Sequence, residues 1–439
     1  MRVRPIDVAA LIAIALLATA CGPTTVVTSP TPTHSGSSTS PFGSSDACPA
    51  GLAGQPGCFT PHALRVAYGV EPLIGQGLTG KGVTVIDIVS YGSPALQQDF
   101  DTFSQQFGLP HQTLQIVAPL GTTPDNPNNK DIPGWGEETT LDVEMIHAIA
   151  PEANIVVMTS PVDETEGIIG LPQFLKLEQY AVQHHLGQIF SQSWTASEAT
   201  LGDSASQQFL QTYASFYQQA ATQDGITTLS GSGDQGATDY ADLNATTLAT
   251  TRTVNFPVDL PWVTAVGGTR LTANGASVSE TAWQGSGGGV SKFYPEPSFQ
   301  QGLSAAIQTT LSGHRGLPDV AAAADPATSL AYFINGQWTT VGGTSAATPL
   351  VAGIVALADQ KAGHGLGNIN PAIYQLGLSS TAQQDFRDIT SGDNTNGAGG
   401  TTVQGFPAVP GWDPITGWGA PLADHFVPDL VAAVAHTSG

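Results

Sequence analysis

Apolar residues change rhythm repeatedly along this chain after about residue 58. Runs such as VTVIDIV (83–89), NIVVMTS (154–160), GQIFSQS (187–193) and GITTLSGSG (225–233) are short β-type runs with apolar centres, bounded by Gly or Ser. That is the pattern of strands buried on both faces. Between them, DVEMIHAIA (142–150), LPQFLKLEQYAVQHH (171–185) and ASQQFLQTYASFYQQAATQ (205–223) repeat their apolar positions at helical spacing. Strands alternating with helices predict an α/β fold, with a central, mostly parallel sheet flanked by helices. Ligands of such sheets bind beyond the carboxyl ends of the strands, so the residues that follow each run are candidates for chemistry. No linker-like stretch divides residues 58–439, which read as a single large domain. GGGVSKF (287–293) and GWDPITGWGAP (411–421) read as loops, structural or site-forming.

The first residues follow a different rule. Arg2 and Arg4 precede an apolar stretch at 8–20, shorter than the roughly 20 residues that a membrane-spanning helix needs. Residues 1–21 therefore read as a signal peptide, and its end, Ala18-Thr19-Ala20-Cys21, resembles a bacterial lipobox with Ala18 where Leu is usual. A lipid on Cys21 is the expectation, with simple cleavage after Ala-x-Ala as the alternative. Either way the chain is exported from a bacterial cell, as a membrane-anchored lipoprotein or a secreted protein. Residues 22–57 form a Ser/Thr/Pro-rich tether that ends in a short loop bounded by Cys48 and Cys58. In an oxidising compartment these two are expected to pair, which leaves Cys21 as the odd one of three.

Composition narrows the partners. With 12 Lys+Arg against 35 Asp+Glu, the formal net charge is -23. The chain lacks the basic footprint that phosphate binding requires, so no nucleic acid is expected. A chain with few basic groups also escapes positive self-repulsion when its carboxylates protonate, which is compatible with an acidic workplace.

Three segments carry candidate chemistry. GGTSAATP (342–349) looks like the nucleophile segment of subtilisin-type peptidases and places Ser345 just before or at a helix start, where a helix cap is the competing role. A serine needs a base, yet none of the ten histidines stands in a subtilisin-like His-Gly-Thr segment. GWGEETTLDVEMIHAIAP (134–151) offers carboxylates instead. Glu138 and Asp142, four residues apart on a helix, project about 40° from each other around the axis and share a face. Two such neighbours do not both ionise cheaply, so one holds a proton while the other can accept one. Glu137 lies beside Glu138 but five residues from Asp142, and His147 falls on another face. In LSGSGDQGATD (229–239), GSGDQG matches a dinucleotide fingerprint only weakly, because no good helix opening follows. The segment reads better as a strand-end loop presenting Asp234, whose protonated carboxyl could donate to an oxyanion. Asp87 sits in the first strand, where subtilisins carry an aspartate, but with no His to orient it has no assigned work.

Taken in order, CFTPHALRVAYGV (58–70), the Glu138-x-x-x-Asp142 pair, IFSQSW (189–194), SGSGDQGA (230–237) and VNFPVDLPWVTAVGGT (254–269) resemble the sedolisins, the serine-carboxyl peptidases. GGGVSKFYPEPSFQ (287–300), RGLPDVAAAADP (315–326), GGTSAATP and DIT…GWDPITGWGAP extend the similarity over roughly residues 58–424. The resemblance implies a subtilisin-like fold with Ser345 as nucleophile, Glu138 as general base and acid, Asp142 as its partner and Asp234 in place of the oxyanion-hole Asn of subtilisins. It also implies one structural Ca²⁺ held by the side chains of Asp388 and Asp413 and the carbonyls of Ile389, Val409 and Gly411, with Val409 where Gly is usual. The implied activity is endopeptidase action at acidic pH on protein or peptide substrates, by a monomer that touches membrane only through Cys21. A catalytically silent, lipid-anchored binding protein on the same fold is the alternative, and the intact Ser/Glu/Asp/Asp set argues against it. Most sedolisins carry a long folded prosegment, whereas only the tether precedes residue 58, so that either the chain folds without that aid or it is not a conventional zymogen.

Overall fold

Strand β1, Thr84–Ser90, sends alternate side chains into two different cores, and this alternation sets the architecture. Val85 and Val89 join one core, while Ile86 and Ile88 join the other. The computed structural model describes residues 39–40, 43–52, 58–123, 129–164, 166–274, 277–398 and 400–437. The signal peptide with Cys21, and the tether up to residue 38, lie outside these residues.

In chain order the sheet contains β1, β2 (Gln115–Val117), β3 (Asn154–Ser160), β4 (Ile189–Gln192), β5 (Thr227–Gly231), β6 (Val263–Asn274), β7 (Ser277–Ala282) and β8 (Val320–Ala323). Its spatial order is β7-β6-β5-β4-β1-β3-β2, with β8 also paired to β6. Every pairing is parallel except β6 with β7, an antiparallel hairpin. The long crossovers that parallel neighbours require are supplied by helices. Helices α1 (Pro61–Ala67), α2 (Leu96–Phe107), α3 (Asp131–Ile149), α6 (Thr344–Ala362) and α7 (Ala423–Thr437) belong to the core reached by Val85 and Val89. Helices α4 (Leu171–Gln183) and α5 (Ser204–Thr222) cover the other face. The expected α/β sandwich with a mostly parallel central sheet is the observed one.

Helix α6 is the organising element. It is buried almost around its circumference from Ala346 to Asp359, as expected of a helix apolar on every side. It packs on β4, β5, β6 and β8 and on helices α3 and α7. Contact with α3 is close because residue 353 is Gly: a Cβ there would lie 2.7 Å from the Cβ of Ile149. A side chain at this position would push apart the two helices that carry Ser345 and Glu138.

Two boundaries differ from the sequence expectation. Helix α3 begins at Asp131, well before Asp142, even though Pro133, Gly134 and Gly136 look like breakers. Pro133 lies in the first turn, where a missing N–H costs nothing because that group has no intrahelical acceptor. The segment 287–293, expected as a loop, overlaps a strand, Gly289–Pro295, paired antiparallel with His314–Leu317 outside the main sheet. Its glycines hide the strand signal, since glycine is disfavoured in strands. Cys48 and Cys58 form a disulfide with Cα atoms 5.9 Å apart.

Candidate active site

Ser345 is not the cap of α6. Gly343 takes that position with φ +97, a conformation suited to glycine, and a Cβ there would lie 2.8 Å from Oδ2 of Asp234. Ser345 therefore stands inside the first turn, where backbone N–H groups have no intrahelical acceptor and the helix dipole is positive. Four residues further on, Pro349 has no N–H to offer the Ser345 carbonyl. The hydroxyl of Ser193, just past the end of β4, approaches that carbonyl at 3.4 Å instead.

The same Ser193 Oγ donates to Oδ1 of Asp142 at 2.8 Å. Asp142 is fully buried on α3, and beside it on β1 lies Asp87, also fully buried. Burial pushes both carboxyls well above the ordinary aspartate range, and the neighbouring carboxyls add to it. The two carboxyls titrate as a pair, and no donor among the described residues reaches either oxygen of Asp87. One turn before Asp142, Glu138 is pushed up by burial, then by the neighbouring Asp142 carboxyl, and more weakly by Asp234. The nearby hydroxyls of Ser345 and Ser193 pull it back. No ion pair neutralises any of these carboxyls among the described residues. A second negative charge in the cluster is therefore expensive, and the cluster retains protons to higher pH than isolated carboxyls do.

Asp234 follows β5 in the strand-end loop that its sequence predicts. Its Oδ1 accepts the Thr344 N–H and the Thr344 hydroxyl, each at 2.8 Å. Burial raises its pKa, while those two donors lower it. Because both donors bind Oδ1, Oδ2 is left as the oxygen that can carry a proton. Ser345, Glu138, Ser193 and Asp234 all line one cleft of about 230 Å³. Glu137 does not line it; its carbonyl accepts the Tyr332 hydroxyl at 2.7 Å on another side of the helix. His147 is buried against Phe100, with ring centroids 4.6 Å apart, and burial lowers its pKa to about 4. No histidine lines the cleft among the described residues. Chemically, the arrangement offers a hydroxyl beside a carboxylate acceptor, a helix-start N–H, and a carboxyl able to donate when protonated.

The five positions implied for calcium lie on two segments, 388–389 and 409–413, joined by a hydrogen bond from Gly411 N–H to Asp388. Asp413 is fully buried; its Oδ1 accepts the N–H groups of Ile415 and Thr416 and the Thr416 hydroxyl, while Oδ2 accepts Val409 N–H at 3.0 Å. Oδ2 of Asp388 accepts Gly411 N–H at 3.0 Å, and its Oδ1 is buried with no donor. Two carboxyls with an orphaned oxygen, next to the backbone of Ile389, Val409 and Gly411, are a hard oxygen set that fits Ca²⁺.

Ser193 and Asp87 are contacts of the cluster to which the sequence assigns no role. For Ser193 a signal existed, since it lies just beyond the carboxyl end of a parallel strand. For Asp87 the signal was its charge inside an otherwise apolar strand.

Comparison with known proteins places this geometry in context. The Subtilase family model matches residues 121–419. Kumamolisin of Bacillus sp. (strain MN-32) is 32% identical over 391 residues, covering 87% of this chain and 65% of its own length. Tripeptidyl-peptidase 1 of Rattus norvegicus is 30% identical over 380 residues, covering 82% of this chain and 62% of its own. The chain thus spans a little under two thirds of the length of these relatives. Among solved structures, Pseudomonas sedolisin, a serine-carboxyl proteinase complexed with pseudo-iodotyrostatin, superposes with TM-score 0.70 at 25% identity over 87% of this chain and 99% of that one.

Proposed function

The chain belongs to the subtilase family, in its sedolisin branch, and on that premise we propose that it is an exported serine-type endopeptidase acting at acidic pH. The observation that carries the proposal is a serine at a helix start with Glu138, and no histidine, as the acceptor beside it in the cleft. In the proposed reaction Glu138 takes the Ser345 proton as Oγ attacks the scissile carbonyl. Ser345 N–H and Oδ2–H of Asp234 then donate to the oxyanion, a role in which one donor typically contributes about 10²–10³ in rate. Glu138 returns the proton to the leaving amine, and water repeats the cycle on the acyl-enzyme. Asp142, held by Ser193 and crowded by Asp87, would retain a proton, so that the negative charge nearest Ser345 rests on Glu138.

This division sets the pH window. Falling pH protonates Glu138 and removes the base. Rising pH strips Asp234 of the proton it must donate, and burial raises the point at which that happens. A bell-shaped profile on the acid side is expected. It is tested by cleavage of a denatured protein from about pH 2 to about pH 8 by the wild type and Ser345→Ala. An acid optimum that vanishes in the variant is the expected result. No cleavage at any pH would favour the silent binding protein, and a neutral optimum would point to an unrecognised base.

Export is supported by the Cys48–Cys58 disulfide and the signal-like N-terminus, and no helix among the described residues is long and apolar enough to cross a membrane. A structural Ca²⁺ on Asp388, Asp413 and the carbonyls of Ile389, Val409 and Gly411 is part of the same proposal. Bound there, it would supply the positive charge that these two carboxyls lack. Ca²⁺ at about 100 times its Kd should stabilise the fold by about 2.7 kcal/mol, a Tm rise of a few degrees. Calorimetry with Ca²⁺ or chelator checks this, and an unchanged Tm, or an equal rise in Asp413→Asn, removes the ion from the site.

A further inference from the structure

The loop that carries Asp234 leaves β5 through Gly233, with φ +106, and turns again at Gly236, with φ +66. Beyond the strand it has no ladder of its own, so its backbone groups need partners elsewhere. Its start is fixed by Gly287 N–H, which donates to the Gly233 carbonyl at 2.8 Å, and by Gly233 N–H on the Thr344 hydroxyl at 3.2 Å. Gly236 N–H donates to the Gly285 carbonyl at 2.8 Å. Residues 235 and 237 face a different segment, 394–396. There Asn396 Nδ2 donates to the Gln235 carbonyl at 2.8 Å, and the Asn394 carbonyl accepts Ala237 N–H at 2.9 Å.

Asn394 also reaches the first support. It is fully buried; its Nδ2 donates to the Ser286 carbonyl at 3.1 Å, and its Oδ1 accepts Phe406 N–H at 2.8 Å. One side chain thus ties together the two segments that flank Asp234. The fit is close, since a Cβ on Gly236 would lie 2.6 Å from the Asn394 carbonyl oxygen. Neighbours brace the segment in turn. The Thr395 carbonyl accepts Gln284 Nε2 at 2.7 Å, and the Thr395 hydroxyl accepts Gly405 N–H at 3.0 Å. Arg252 Nε donates to the Gln404 carbonyl at 2.7 Å, with the guanidinium carbon 4.1 Å from the centre of the Phe406 ring. Among the described residues, none from 392 to 406 lines the cleft, so this support touches Asp234 only from behind.

We propose that Asn394 and Asn396 are positioning residues for the hydrolysis, acting through the backbone beside Asp234 to aim its Oδ2 at the oxyanion. The inference rests on the oxyanion role proposed above for Asp234 and names what holds that carboxyl in place. A donor stabilises an oxyanion fully only when it is aimed before the charge develops. Thr344 anchors Oδ1 alone, so a shift of the loop would pivot the carboxyl about that oxygen and swing Oδ2 away. A misplacement of about 1 Å can cost about 10²-fold in rate. Without the Asn396 amide, the carbonyl next in the chain after Asp234 loses its donor and must turn to water. Substrate binding should not feel the change, because the oxyanion exists only beyond the ground state.

The test uses the full chain and a fluorogenic peptide at the acid optimum, with Asn394→Ala and Asn396→Ala each made in the wild type and in Asp234→Ala. In the wild type each should lower kcat by about 10–100-fold and leave KM within about two-fold. In Asp234→Ala the same substitutions should cost less than about two-fold, because no carboxyl remains to be aimed. Support of the fold alone would lower activity by the same factor in both backgrounds, and that outcome overturns the inference. An unchanged kcat in folded Asn396→Ala, or a loss confined to KM, does the same. Asn396 is only half-buried, so its variant carries the test if Asn394→Ala fails to fold. An Asp234→Ala enzyme as active as the wild type overturns the oxyanion assignment and the inference together, yet leaves the serine peptidase standing. No cleavage by the wild type overturns the peptidase proposal and this inference with it.

Discussion

Glu138→Gln should lower kcat/KM on a denatured protein by about 10⁴-fold or more at the acid optimum, with the fold retained. Gln matches Glu in size and can still hydrogen-bond Ser345, but it cannot take a proton. The hydroxyl would then have to be deprotonated by water at a pH far below its own pKa. The fold should survive because the substitution removes a charge from a cluster in which Asp87 and Asp142 are already crowded by carboxyls. Melting temperature and single-turnover acylation, measured on one preparation, separate the two effects. Ser345→Ala should cost as much, and the double variant no more than either alone, because residues acting as a unit are non-additive. A Glu138→Gln enzyme that keeps a tenth of its activity would remove Glu138 from the role of base.

The second large effect is at Asp234. Asp234→Ala should lower kcat by about 10²–10³ with little change in KM, since the donor acts only on charge that develops in the transition state. Asp234→Asn should be much milder and should extend activity to higher pH. An amide donates at every pH, whereas the carboxyl donates only below its pKa and presents a negative charge to the oxyanion above it. Burial raises that pKa, and the Thr344 donors on Oδ1 hold it back. The alkaline limb of the wild-type profile should therefore be missing, or moved upward, in Asp234→Asn. Identical alkaline limbs in the two enzymes would assign that limb to another group, the first candidate being the Asp87–Asp142 pair.

Much of the fold is legible along the chain for a local reason. Strands buried on both faces favour continuous apolar runs, so β1 and β3 stand out in the sequence, while β4 and β5 are marked by β-favouring residues bounded by Gly and Ser. The start of α3 does not, because Pro133 breaks helix interiors but is tolerated in a first turn, and the glycines after it weaken the helix signal. The strand 289–295 is equally hidden, since its partner at 314–317 is recognisable only once the chain has folded. In the site, the spacing of Glu138 and Asp142 follows from helix geometry alone, and Asp234 from its place after a strand. Asp87 does not follow: its work depends on which face of β1 meets α3, and that is decided by the packing of two cores.

Element type, the common face of Glu138 and Asp142 and the helix-start setting of Ser345 depend on neighbours within a few residues. Those features were present in the linear chain. Where protons reside was not, because interactions between charges scale inversely with distance and local dielectric, and both are created by packing segments remote in sequence. The crowding of Asp87 against Asp142, the hold of Ser193 on Asp142 and the unpaired carboxyls gathered from α3, the loop after β3 and the loop after β5 exist only in the folded molecule.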